Sequence, residues 1–315
     1  MNSESFEDSL GHKPVLLDEV LKALMPRPGG LYLDCTLGGA GHAEAILSAA
    51  GGTAHLIGID RDAQALERSG KRLESFVGGV ELHFGRFENM KSVLAGRTPD
   101  GILMDLGVSS FMLDDPMRGF SFQSDGPLDM RMDRSQDLTA ADIVNTWSVG
   151  ELAHIFRTYG EERHAGRVAR RIAIARENKP FVSTLQLASV VASCIPRGKQ
   201  KINPSTRVFM ALRIAVNGEL EGLENAVLSA IDSLVPGGRL AVISFHSLED
   251  RIVKQTFARL VKGCTCPPRM PMCVCGKLAS VKAITKKPIT ATDEEIVRNP
   301  RSRSALLRVV EKEAA

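Results

Sequence analysis

No apolar run in this 315-residue chain reaches the roughly 18 residues of a membrane-spanning helix, and residues 1 to 11 are polar and acidic, without the basic-then-apolar order of a secretory signal. Neither a membrane protein nor an exported one is expected; the reading is cytoplasmic. Internal repeats and low-complexity tracts are missing too, while 43% hydrophobic residues suffice for a core of α/β size and exclude a disordered or fibrous chain. Charge of one sign is scarce: 40 Lys and Arg against 37 Asp and Glu leave +3, which by itself names no partner. Cysteine is sparse and uneven. Cys35 and Cys194 stand alone in apolar surroundings, and Cys264, Cys266, Cys273 and Cys275 crowd into twelve residues. In a reducing compartment such a cluster points to metal before disulfides.

Charges that balance overall are segregated along the chain. Residues 151 to 218 carry 12 basic and 4 acidic side chains and 251 to 310 carry 13 and 3, whereas 1 to 107 carry 10 and 15. Two basic zones on an acidic framework fit an anionic partner held at selected places.

From Leu31 onward short apolar runs alternate with helical patterns, which predicts an α/β fold with a doubly wound, mostly parallel sheet. Leu31 to Thr36, Ala54 to Asp60, Val80 to Phe84 and Gly101 to Leu106 read as four strands, Arg239 to Phe245 as a fifth and Ser304 to Glu311 as the last. Between the fourth and fifth lie about 130 residues. They read as an ordered loop over 108 to 138, then helices at Thr139 to Asn145, Val149 to Arg157, Glu161 to Glu177, Thr184 to Cys194 and Pro204 to Leu223. An inserted helical substrate-recognition domain, 111 to 218, is expected within a ligand-binding domain made of 1 to 110 and 219 to 315.

The first strand runs into Gly38-Gly39-Ala40-Gly41-His42 and then a helix, a pattern that lets backbone approach a ligand and aims free N–H groups at it. Asp60 closes the second strand, 19 residues after Gly41, where a carboxylate can accept hydrogen bonds from ribose hydroxyls, and Asp105 closes the fourth. Any one of these acids alone would more often cap a helix. Beyond the carboxyl ends of an open α/β sheet, however, they converge on one crevice suited to a nucleotide-like ligand. The spacing is not G-x-G-x-x-G, which weighs against a nicotinamide-dependent oxidoreductase. That enzyme class and a non-catalytic RNA-binding assembly factor are the alternatives to be separated by cofactor binding and turnover.

Seven blocks (His12 to Glu19, Asp34 to His42, Asp105 to Ser110, Arg118 to Phe122, Gly126 to Met132, Tyr159 to Arg163 and Ile243 to Arg251) together resemble the RsmH (MraW) family of bacterial 16S ribosomal RNA (cytosine-N4)-methyltransferases, over nearly the whole chain. The resemblance implies a class I, Rossmann-like methyltransferase domain with S-adenosyl-L-methionine as methyl donor. The implied acceptor is the N4 amine of a cytidine in the decoding region of 16S ribosomal RNA in the small subunit. It places cofactor contacts at Gly39, Ala40, Gly41 and His42 around the methionine end, Asp60 at the ribose, Phe87 beside the adenine, and Asp105 near the adenine or the reacting end. Family members usually have Pro-Gln after the paired serines; this chain has Phe111-Met112, so Met112 occupies a cofactor position as an apolar lid or packing residue without the amide's hydrogen bonds. The N4 lone pair is delocalised into the ring, so an acceptor must turn it toward the methyl group. Asp105 is the candidate, with Ser109 and His246 behind it.

Arg163, Arg167, Arg170, Arg171 and Arg176 recur at helical spacing, followed by Arg197, Lys199, Lys201 and Arg207, and are expected to meet RNA phosphates. Trp147, Tyr159 and Phe181 are available to stack on a flipped base or to fill the core. The Cys pairs are spaced C-x-C where structural zinc sites prefer C-x₂₋₄-C, which leaves a zinc site and an exposed loop of thiols both open. The oligomeric state is open, a homodimer among the options.

Overall fold

A computed structural model of the chain describes residues 13–76, 79–195, 203–264, 266–267, 272 and 274–314. Cys273, Arg197, Lys199 and Lys201 lie outside the described residues. The chain divides into two compact units, one formed by Met1–Gly107 with Glu221–Ala315 and the other by Val108–Leu220. The first departure from the sheet thus comes three residues before the expected 110, and the return two residues after 218.

The first unit is built on seven strands: β1 (Leu31–Asp34), β2 (His55–Asp60), β3 (Val80–Phe84), β4 (Gly101–Asp105), β5 (Arg239–Ser244), β6 (Val281–Ala283) and β7 (Leu306–Lys312). Their order is β3-β2-β1-β4-β5-β7-β6, with β1 to β5 pairing in parallel and β7 antiparallel to both its neighbours. Successive residues of the central strands face opposite sides. Leu33, Ile57, Ile102, Met104, Leu240 and Val242 pack on one side with the helices Leu223–Ser233 and Ser247–Lys262. Tyr32, Leu56, Leu103, Ala241 and Ile243 pack on the other with Leu17–Leu24 and Gly41–Ala49. Burial on both faces is why these strands read as continuous apolar runs rather than as alternating ones.

The second unit holds the helices Ala140–Thr146, Val149–Thr158, Ala165–Asn178, Thr184–Cys194 and Ser205–Asn217 around a core that includes Leu152, Phe156, Val168, Phe181, Leu187 and Leu212. Thr139 and Ser148 start two of them with capping boxes completed by Asp142 and Glu151.

Two expectations are corrected. The helix read from Pro204 to Leu223 is two helices: Ser205–Asn217 stops at Gly218 (φ 57°) and Leu223–Ser233 starts after Gly222 (φ 72°), both glycines in the left-handed conformation that ends α-helical hydrogen bonding. The helix read from Glu161 starts at Ala165, because Glu161 itself sits at φ 47°. Strand β6, three residues long, and the helix Leu17–Leu24 went unread; a three-residue strand is too short to show a period.

Candidate active site

Parallel pairing staggers three acids at the carboxyl edge of the sheet. Asp34 at the end of β1 is opposite Gly58 on β2 and Leu103 on β4, so Asp60 and Asp105 each stand two residues further along. The chain beyond β1 is stitched between these strands. Cys35 N–H donates to Leu103 O at 2.9 Å, Leu37 N–H to Ile59 O at 3.0 Å, and Asp105 N–H to Thr36 Oγ1 at 2.6 Å.

The glycine loop is held by three hydrogen bonds. Gly38 O accepts from Ser69 Oγ (2.9 Å) and Gly39 O from Arg72 Nη1 (3.2 Å), while Gly38 N–H donates to Asp60 Oδ2 (2.7 Å). Ala40, at φ 58°, turns the chain into the helix Gly41–Ala49, whose first internal bond is Glu44 N–H to Ala40 O. The N–H groups of Gly41, His42 and Ala43 precede that bond and form the positive end of the helix. Gly41 is required by packing, since a Cβ there would stand 2.4 Å from Pro14 Cγ.

Electrostatically the edge is a cluster of carboxylates. Burial pushes Asp34 up to about 7, with Asp60 adding to the rise against an opposing hydrogen bond from Thr36 N–H. Burial also raises Asp60, although Gly38 and Asp62 N–H groups oppose it. Asp105 is raised well above the usual carboxylate range by burial and by Asp34 and Glu249 nearby. Its side chain is still 26% exposed, although Oδ1 is buried and finds no hydrogen-bond partner among the described residues. His42 Nε2 lies 3.7 Å from Asp105 Oδ2. Burial lowers the imidazole to about 4 against a smaller opposing contribution from the Val15 backbone, and neither ring nitrogen makes a hydrogen bond of good geometry among the described residues.

The other expected positions are placed as follows. Phe87 is half-buried just past β3, at the start of a 3₁₀ turn, and Gly85 N–H donates to Asp60 O at 2.9 Å, so it follows the strand that pairs with Asp60. His246 caps the helix Ser247–Lys262: Glu249 N–H donates to its Nδ1 at 3.4 Å, and Glu249 Oε1 stands 3.2 Å from its Nε2. Ser109 and Met112 belong to the second unit. Ser109 Oγ accepts from Met112 N–H at 3.3 Å as the cap of the helix Ser110–Asp114, and Met112 is buried in that unit's core. Sequence reasoning passed over Asp34, Thr36 and Glu249. An acid as the last residue of an otherwise apolar strand was the available signal for Asp34; nothing local marks Glu249, whose role follows from its burial beside His246.

In the second unit Arg163, Arg167, Arg170 and Arg171 are exposed, whereas Arg176 turns inward and donates to Val144 O and Trp147 O at 2.8 and 2.7 Å. Phe181 is fully buried; Trp147 and Tyr159 pack against the core with part of each side chain exposed. Far along the first unit, Cys264, Cys266 and Cys275 bring their sulfurs within 4.8 Å of one another.

A seven-stranded, mostly parallel sheet of this order with β7 reversed, carrying a glycine turn and three acids at the carboxyl ends of β1, β2 and β4, is the doubly wound α/β arrangement expected of a methyltransferase domain. Residues 9–313 match the model of the MraW methylase family, and the chain belongs to that family. It is 52% identical over 306 residues to a protein of Syntrophotalea carbinolica called ribosomal RNA small subunit methyltransferase H, covering 96% of this chain and 98% of that one. A protein of the same name from Citrifermentans bemidjiense is 53% identical over 306 residues with the same coverage. Among solved structures, TrmN from Thermus thermophilus is similar at a TM-score of 0.45 and 13% identity, over 98% of this chain and 53% of that one. Membership of a methylase family sets aside the oxidoreductase and the non-catalytic factor. Among the described residues, no helix is long and apolar enough to cross a membrane.

Proposed function

We propose that this methylase transfers a methyl group from S-adenosyl-L-methionine to the N4 amine of a cytidine in the decoding region of 16S ribosomal RNA, acting on the small subunit in the cytoplasm. The observation that carries the reading is the crevice edge, where Asp34 and Asp105 have other carboxylates as electrostatic neighbours and Asp105 Oδ1 is unsatisfied among the described residues. Such a site suits a ligand that brings its own positive charge and its own donors. S-adenosyl-L-methionine carries a sulfonium and an ammonium, and its carboxylate suits the helix N-terminus at Gly39 to His42. Each Asp60 oxygen accepts one backbone N–H and keeps a lone pair for a ribose hydroxyl. Phe87 offers a ring to the adenine.

Bound there, the cofactor supplies an electrophilic methyl group. The remaining work falls to the chain's own residues. Asp105 accepts a hydrogen of the N4 amine, which turns the nitrogen lone pair out of conjugation, and takes the proton as it becomes acidic. A carboxylate with a raised pKa is better matched to that task near neutral pH than an ordinary one. No covalent nucleophile is required. Glu249 anchors the chain just past the end of β5 by accepting the Phe245 N–H at 2.9 Å, and His246 packs against Glu249. For the substrate, the support comes from relatives named as small subunit rRNA methyltransferases and from the exposed Arg163, Arg167, Arg170 and Arg171 of the second unit, which suit phosphates.

Small subunits from a strain lacking the gene, incubated with the purified protein and methyl-labelled cofactor, test the reading. Mass spectrometry of nucleosides is expected to find N4-methylated cytidine in one decoding-region fragment. Label in any other nucleoside, or none with active cofactor binding, overturns it.

A further inference from the structure

The described residues between the helix Ser247–Lys262 and β6 bury almost nothing apolar. The base of this loop is pinched: a Cβ on Gly263 (φ 64°) would stand 2.2 Å from the Leu278 backbone, and Ser280 N–H donates to Leu260 O at 3.1 Å. The outgoing and returning strands of the loop are thereby held together. Met272, Val274 and Leu278 are 76%, 71% and 87% exposed, so among the described residues of the loop these apolar side chains form no hydrophobic core.

Three thiols nevertheless converge inside it. The sulfurs of Cys264, Cys266 and Cys275 lie within 4.8 Å of one another, and those of Cys264 and Cys275 are 3.7 Å apart. Two thiolates sharing a tetrahedral zinc at bond lengths of about 2.3 Å stand about 3.8 Å apart. Val274 N–H donates to Cys266 Sγ at 3.4 Å, the sort of donor that orients and tunes a metal-bound thiolate. The C-x-C spacing is no obstacle, because the third sulfur arrives from across the loop rather than from the next turn.

We propose that Cys264, Cys266 and Cys275 bind a thiophilic tetrahedral cation, zinc by ligand softness, which closes this loop in place of a hydrophobic core. Each thiol gives up its proton to solvent as the metal–sulfur bond forms, and no oxidant or reductant is involved. The site is separate from the methyl-transfer crevice and does not depend on the substrate assigned above.

Full-length protein, purified with a thiol reductant and without chelator, is expected to hold about one zinc per chain by elemental analysis. The Cys264→Ser, Cys275→Ser double variant is expected to hold at least about tenfold less, while Cys194→Ala, outside the loop, keeps its metal. A second measurement needs no variant. Alkylation of the unaltered protein by N-ethylmaleimide, read by peptide mapping, is expected to be slower by about tenfold or more at Cys264, Cys266 and Cys275 with zinc than after chelation. Loop thiols that alkylate equally fast with and without zinc overturn the proposal. So does zinc retained undiminished by the double variant, or a Cys264–Cys275 disulfide in protein alkylated at the moment of lysis.

Discussion

Asp105 Oδ2 stands 3.7 Å from His42 Nε2, yet the two are not an ion pair at neutral pH. Burial keeps His42 neutral down to about 4, and burial together with Asp34 and Glu249 keeps Asp105 protonated well above the usual carboxylate range. Desolvation disfavours the charged form of both groups, and His42 is neutral at pH 7. A cation entering the crevice reverses the balance for the acids, because it favours their ionised forms, while it makes His42 harder still to protonate.

The first consequence is proton release on cofactor binding. Asp34, at about 7 in the free protein, is partly protonated at pH 7, and a sulfonium beside the cluster lowers its pKa. Calorimetry of S-adenosyl-L-methionine at pH 7 in buffers of different ionisation enthalpy is expected to show net release of a fraction of a proton or more. S-adenosyl-L-homocysteine, which lacks the sulfonium charge, is expected to release less. Equal release for both ligands contradicts the charge argument.

Asp34→Asn separates stability from binding. The folded-state pKa of Asp34 is raised from 3.8 to about 7, so the native chain holds this proton more tightly than the unfolded chain does. Its stability contribution is therefore full below about 3.8, falls as pH rises, and is lost by about 7. The neutral amide keeps an oxygen for Thr36 N–H and avoids that loss, so at pH 8 the free variant is expected to be more stable by roughly 1 to 4 kcal/mol. Thermal melts at pH 5 and pH 8 check this: the gain should shrink at the lower pH, while cofactor affinity drops at both.

Asp105→Asn removes the proton acceptor with little change in shape. Turnover is expected to fall by roughly 10² or more at saturating cofactor, with an unchanged melting temperature at acid pH. A variant whose turnover recovers fully at high cofactor concentration would assign Asp105 to binding alone.

Asp60 does two jobs, and two substitutions divide them. Asp60→Ala loses the ribose acceptor and both loop tethers, Gly38 N–H and Asp62 N–H, so cofactor binding is expected to weaken by roughly 1.5 to 3 kcal/mol. Asp60→Asn keeps one acceptor oxygen and should lose less. Titration calorimetry on both folded variants decides, and unaltered affinity in the alanine variant removes Asp60 from the cofactor site.

Replacing Arg167, Arg170 and Arg171 with Gln should weaken binding to small subunits and flatten its dependence on salt, leaving cofactor affinity alone. Arg176→Gln should instead lower the melting temperature, since that guanidinium satisfies two buried-side carbonyls, at a cost of about 1 to 3 kcal/mol. Filter binding over a range of salt and thermal melts on the same preparations distinguish the two arginine classes.

What could be read along the chain is what local physics writes there. Parallel strands buried on both faces must be apolar runs, so β1, β2, β4 and β5 were legible, as were the helix Thr184–Cys194 and the insertion that interrupts the alternation. The glycine turn and the acids closing β2 and β4 were visible because they stand at the ends of those runs. Helix ends were less so: the Gly218 and Gly222 breaks lie inside a stretch whose apolar spacing stays helical.

Tertiary structure alone decided the chemistry of those residues. Asp105 and Thr36 are 69 positions apart in sequence and 2.6 Å apart at their contacting atoms, and Asp34 acquires its charge state from desolvation by strands on either side. Arg176 and Arg171 look alike in sequence, but only one faces two carbonyls. Residue type and spacing set where an element runs and which side chains it carries. Burial, and the charges it brings within a few ångströms, depend on every neighbouring segment at once, and so they come into being only when the chain has folded.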